Sequence, residues 1–135
     1  MGKSYASIIH AANAAVLASG DLDSVTTFFS ESYVVHLTAG GSMQGHRAVR
    51  RFVASVRRAF TNLDVEVEIL VEAKARVAWQ RTVRGTHKGN FKGFPATGRR
   101  IVWRDMVVSR FDKGRISEDW VITDLAERLL RARRK

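Results

Sequence analysis

After Leu63 the spacing of apolar residues changes from helical to alternating, and that change decides what the chain can become. Val65, Val67, Ile69 and Val71 alternate with Asp64, Glu66 and Glu68, as expected of a half-buried antiparallel strand. Residues 76–85, 100–111 and 116–122 continue in β-rich segments, with turn signals at Lys74-Ala75 and Asp112-Lys113-Gly114. The part before Leu63 is helical in character. Residues 4–18 place Ile8, Ile9, Ala12 and Val16 on one face, Gly20 stops that helix, and Asp21 or Asp23 caps a short second one ending near Phe29. A short strand over 33–37, a turn at Gly40-Gly41, a third helix over 46–60 and a last helix from about Asp124 complete the expectation. Helices first, a sheet second and one helix last make an α+β domain, with the early helices folded over one side of an antiparallel sheet. The 135 residues suffice for a single domain.

Composition closes several alternatives. The chain has no cysteine, which removes disulfides and thiolate metal sites. Its four histidines are scattered, without the close spacing of a metal site, so neither metal nor cofactor is expected. No apolar run reaches the roughly 18 residues that span a bilayer. The lysine, apolar stretch and small residues at the N-terminus mimic a leader, but helical spacing runs on through them, so they are read as the first helix of a cytoplasmic protein.

The net charge of +10 has two sources. One is the tail, with Arg128, Arg131, Arg133, Arg134 and Lys135. The other is the third helix, where Arg47, Arg50, Arg51, Arg57 and Arg58 share about one third of the circumference and Val49, Phe52, Val53, Val56 and Phe60 gather opposite. With Phe52 and Phe60 on the opposite, apolar side, these basic residues lack interleaved exposed aromatics, which argues against nucleic acid; an acidic carrier protein or plain solvation suits them better.

The stretch "GTHKGNFKGFPATGRR", residues 85–100, joins two strands and holds the only proline of the chain. Gly85, Gly89, Gly93 and Gly98 are expected there to permit positive φ. Together with "GDLD", "YVVH", "GHRAVRRFV" and "RFDKGRISEDWVITD" it resembles the SnoaL-like branch of the NTF2-like superfamily over most of the chain. The resemblance implies a cone, a curved sheet wrapped by three N-terminal helices around a ligand cavity, and a homodimer joined through the outer sheet face, for which Val107, Ser109 and Phe111 are the expected contacts. It also implies cofactor-free acid–base chemistry on a hydrophobic carbonyl compound such as a polyketide; the family includes dehydratases, hydrolases and proteins without activity as well.

By the same resemblance Asp124, ending the WxxxD motif, is the expected acid and base, with His36 of "YVVH" assisting. An aspartate in an apolar cavity would be a competent base, yet Asp124 and Glu127 also match a helix capping box, and both readings stay open. Strand parity puts Glu118 and Asp124 inward with Ile116, Trp120 and Ile122, Glu118 pairing with an arginine such as Arg110. Trp79, Trp120 and Tyr33 are the expected cavity lining. Arg81 departs from the family, where an aromatic residue is usual. It shares parity with Val77, Trp79 and Val83, so it must either pair with Glu118 or Asp124 or receive a substrate carboxylate or enolate.

Overall fold

The structure, a computed structural model, describes residues 4–38 and 40–133; Arg134 and Lys135 of the basic tail lie outside them. Among these residues are four α-helices and six strands. Helix α1 (Tyr5–Ala12) begins at Ser4, whose hydroxyl accepts from the Ser7 N–H, and runs on as a wider π turn over Asn13–Ala18. Helix α2 (Val25–Phe28) is short, and α3 (Gly45–Ala59) carries Ala48, Val49, Val53, Val56 and Ala59 on its buried side. Between them lie β1 (Phe29–His36) and β2 (Ser42–Gln44), the latter too short to be marked by alternation. Strands β3 (Phe60–Ala73), β4 (Arg76–His87), β5 (Arg100–Asp112) and β6 (Arg115–Thr123) follow, then α4 (Leu125–Arg133). No helix among the described residues is long and apolar enough to cross a membrane.

The strands form one sheet in the order β2-β1-β6-β5-β4-β3. It is mixed rather than purely antiparallel, because β1 runs parallel to β6 while every other neighbouring pair is antiparallel. Irregularities in the β3–β4, β1–β6 and β5–β6 ladders bend it. One face carries Val77, Trp79, Val83, Ile101, Trp103, Val107 and Phe111 into the core, where they meet Ile8, Ile9, Val16, Leu17, Val53 and Val56 from the helices. This places Val107, Ser109 and Phe111 inward, all buried. The outer face of β5 presents Met106, Val108 and Arg110 instead, so the residues expected to form a dimer contact belong to the core.

The glycine-rich connection is held by more than turn chemistry. The His87 N–H donates to the Arg99 carbonyl and the Gly98 N–H to the His87 carbonyl, each at 2.8 Å, and Phe91 and Phe94 exchange backbone bonds of 3.0 and 2.8 Å. Gly93 and Gly98 do take positive φ, and so does Lys92. Gly85 and Gly89 serve close approach instead: a Cβ at Gly89 would sit 2.9 Å from the Arg58 carbonyl oxygen, and the Gly89 N–H donates to the Ala59 carbonyl at 3.0 Å. The connection is thereby stapled to the end of α3. His87, fully buried and stacked on Phe60, accepts the Thr97 N–H at Nδ1. Burial lowers its pKa.

Because the atom opposing that Cβ is backbone, relief requires moving α3 or the loop. Gly89→Ala should destabilise the fold by about 1–3 kcal/mol, the usual cost of forcing atoms into a packed site, whereas Asn90→Ala beside it should cost less than half as much. Urea unfolding of the two variants checks this, and equal midpoints would show that the staple is not a constraint.

Candidate active site

A pocket of about 590 Å³ opens between the inner sheet face, α3, the π turn and the 88–99 connection. Its walls are mainly apolar, with Phe29, Phe52, Phe91, Phe94, Trp79 and Trp103 among them. Five polar side chains interrupt this surface away from the rim: Asn13, Tyr33, Arg81, Asp105 and Asp119. Of the lining expected from the sequence, Tyr33, Trp79 and Arg81 are present.

The acid that β6 places on the wall is neither Asp124 nor Glu118 but Asp119. Arg110 pairs with Glu118 and the next residue, Phe111, with Ile116. Ser117 is thus an extra residue, a bulge whose buried hydroxyl donates to the Arg110 carbonyl at 3.1 Å. Ile116 faces the pocket before the bulge; after it the parity is reversed, and Asp119, Val121 and Thr123 face the pocket. Glu118, Trp120 and Ile122 go to the outer side. There Glu118 accepts from Arg110 at 3.0 Å and lies 2.5 Å from His36 Nε2, while His36 stacks on Trp120 with Arg76 over the same indole. The hydrogen bond with His36, reinforced by Arg110, holds the Glu118 carboxyl below the usual range. Asp124 lies outside the pocket lining at the head of α4. Its Oδ1 accepts the Arg104 N–H at 2.9 Å and its Oδ2 the Arg128 Nε–H at 3.0 Å, while Glu127 pairs with Arg131 rather than closing a capping box.

Asp119 is 7% exposed and bonded by two hydroxyls. Tyr33 donates to Oδ2 at 2.6 Å and Ser109 to Oδ1 at 2.5 Å. The Trp79 indole N–H donates to Ser109 Oγ at 2.9 Å. Since an indole nitrogen can only donate, Ser109 must accept there and point its own hydrogen at Asp119. Burial raises the Asp119 pKa, against the opposing hydrogen bonds from Ser109 and Tyr33 and the positive charge of Arg81. Burial also pushes the Tyr33 hydroxyl well above its ordinary value, with the Asp119 charge and hydrogen bond adding to the effect, so it stays a donor.

Arg81 finds its partner in Asp105, which lies directly across the β4–β5 ladder. Its Nε and Nη2 both reach Asp105 Oδ2 at 2.8 Å, and Nη1 donates to Asn13 Oδ1 at 2.9 Å. Asn13 in turn donates to the Ile9 carbonyl at 2.9 Å. The guanidinium also lies over Trp79 and Phe52, 5.4 and 6.0 Å from the ring centroids. Neither Asp105 nor Asn13 was anticipated. The signal for Asp105 was available, because it shares parity with Ile101, Trp103 and Val107 on β5; for Asp119 the unmarked bulge hid it.

A family model for SnoaL-like polyketide cyclases matches residues 7–131. None of the curated proteins searched matches the chain. Among solved structures, IdmH of Streptomyces antibioticus, a proposed polyketide cyclase, is similar at 28% identity and a TM-score of 0.77, covering 96% of this chain and 98% of its own. AclR of Streptomyces galilaeus, a proposed hydroxylase, shares 27% identity with a TM-score of 0.76 over 98% and 88% of the two chains. A proposed polyketide cyclase of Xanthomonas campestris is only 18% identical, yet it superposes with a TM-score of 0.80 over 94% and 95%, a likeness of fold.

The raised pKa of Asp119 fixes how stability depends on pH. Between the ordinary aspartate value and the folded value, the folded state binds the proton better than the unfolded state, so stability contributed by this group is present at low pH and lost as pH rises through that window. Asp119→Asn removes the term. Melting curves of both proteins from pH 4 to 8 should show the variant gaining on the parent as pH rises, then a constant difference; a difference independent of pH would contradict the assignment.

Proposed function

The chain belongs to the SnoaL-like polyketide cyclase family, and from that premise we propose that it is a cofactor-free acid–base enzyme acting on a hydrophobic carbonyl compound of the polyketide type, with Asp119 as the proton-transfer residue. The observation that carries this reading is a buried carboxylate with a raised pKa on the wall of an apolar pocket. In this reading the base role expected of Asp124 passes to Asp119, and His36 belongs to the ion-pair cluster of the outer face.

Ionised Asp119 takes a proton from the carbon next to a substrate carbonyl, leaving an enolate. A base whose pKa lies nearer neutrality is better matched to a weak carbon acid than an ordinary aspartate. The enolate carbon then attacks a second carbonyl of the same molecule, closing a ring, and the proton held by Asp119 returns to the alkoxide so formed. Arg81 stabilises the charge as it develops, since its field already favours the ionised forms of Asp119 and Tyr33 in this pocket. Trp79 and Ser109 fix one carboxylate oxygen and Tyr33 the other, so the base does not have to be oriented at each turnover.

On the outer sheet face Met106 is exposed, Ile122 is 65% exposed and Val71 is exposed too. This unpaired apolar surface supports a homodimer joined there, for which Ile122→Glu should give a monomer by light scattering, while a wild type that is already monomeric would end that reading. An acidic carrier protein is the reading for Arg47, Arg51 and Arg58 on α3, which form no ion pair among the described residues.

For the catalytic reading, Asp119→Asn should lower kcat by roughly 10²-fold or more, the usual contribution of a positioned base, with ligand affinity little changed. Because the base works ionised, the rate should rise with pH through a limb displaced above the ordinary aspartate range. Cyclisation of a polyketide-like diketone followed by absorbance tests both. Undiminished turnover in Asp119→Asn would overturn the proposal, and ligand binding without turnover in the wild type would leave a binding protein.

A further inference from the structure

The second carboxylate on the pocket wall has one oxygen to spare. Asp105 is 3% exposed, and both guanidinium contacts from Arg81 fall on Oδ2. Oδ1 has no hydrogen-bond partner among the described residues, yet it is not sealed: the one fully enclosed, unpartnered side-chain atom among them is Nε2 of His87. Asp105 is also one of the residues that line the pocket. Leaving a carboxylate oxygen unpaired in an apolar wall is costly, and a ligand donor would remove the cost.

The surroundings specify which donor. Arg81 already neutralises Asp105, so a second cation would be buried without compensation, whereas a neutral O–H would not. The acceptor is also rigid. Arg81 is held from the far side by Asn13, which the π turn carries and the Ile9 carbonyl anchors, and by the faces of Trp79 and Phe52. Asp105 lies four residues along β5 from Ser109, the partner of Asp119 in the ladder. At about 3.4 Å per residue the two acids are set roughly 14 Å apart along the strand. Between them lies the apolar row of Trp79, Val107 and Val121.

We propose that Asp105 Oδ1 is a ligand-binding acceptor that selects a neutral hydroxyl, an enol, phenol or alcohol, at the end of an apolar ring body whose middle rests on the Trp79–Val107–Val121 row. The proposal rests on the reading of the pocket as a ligand site. It goes beyond that reading by giving Asp105 a role in selection and none in proton transfer.

The test uses 2-naphthol, 2-methoxynaphthalene and naphthalene as probes at pH 7, where the naphthol is neutral, with calorimetric titration of the intact protein. Wild type should bind 2-naphthol at least 10-fold more tightly than the methoxy compound. Asp105→Asn keeps an oxygen for Arg81 and turns an N–H₂ donor toward the pocket, so the ratio should fall at least 10-fold while naphthalene is unaffected. Asp119→Asn should leave the ratio intact. Binding of all three probes without discrimination in the wild type overturns the assignment even if the Asn variant does not fold, and so does an unchanged ratio in Asp105→Asn. No binding by any probe overturns both this proposal and the reading of the pocket as a site for apolar ligands.

Discussion

One inserted residue governs the chemistry available to this molecule. Side chains of a strand alternate with a period of two, so a single extra residue sends everything beyond it to the opposite face. Ser117 is that residue in β6, stabilised by its own bond to the Arg110 carbonyl. Without it the pocket wall would receive Glu118, Trp120 and Ile122, and the outer face would receive Asp119. With it, Glu118 meets Arg110 and His36 on the outer side, while Asp119 meets two hydroxyls inside. The partners on both faces suit only this register, which is how a bulge of one residue comes to be specified by side chains on three different strands.

The two inward acids are stabilised in different ways, and the difference lies in the charge of their direct partners. Asp105 faces a guanidinium and forms a neutral pair, so its charge is compensated where it stands. Asp119 has neutral hydroxyl donors as its direct partners and Arg81 only at longer range, so desolvation outweighs them and its pKa rises. A direct ion pair from Arg81 to Asp119 would have opposed that rise. Placing the arginine on Asp105, two positions along the pleat from the Trp79 row, lets one cation compensate a buried charge and still project its field over the second acid. That field favours the ionised form without reversing the rise that burial produces.

Much of this architecture was legible in the chain. The switch from helical to alternating spacing after Leu63, the amphipathic third helix and the turn residues marked most elements, and the quoted motifs marked the family. The site was less legible for physical reasons. A bulge has no compositional mark, since Ser117 is an unexceptional strand residue, so parity shared by Ile116, Trp120 and Ile122 turned Glu118 inward, where the structure turns it outward and Asp119 inward. The parallel pairing of β1 with β6 is a long-range contact that neither strand's composition encodes, and β2 is only three residues long. Arg81 was recognised as needing a partner, but which carboxylate supplied it depended on strand order, and the order places β5, not β6, beside β4.

The arginines of α3 show that a charged helix face can also be structural. Arg57 donates to the Leu17 and Ala18 carbonyls at 3.0 and 2.7 Å, and Arg50 to the Leu22 carbonyl at 3.3 Å. Those acceptors lie at and just beyond the end of the π turn, where carbonyls are left without helical partners. The π turn sets Asn13 against Arg81, so Arg57, far from the pocket polar groups in sequence, fixes the segment that fixes the guanidinium. Removing such an arginine would act through lost carbonyl partners rather than through net charge, and the effect would persist in high salt. A surface arginine that only attracts an anionic partner would lose its influence under the same conditions, so ionic strength separates the two groups of arginines on one helix.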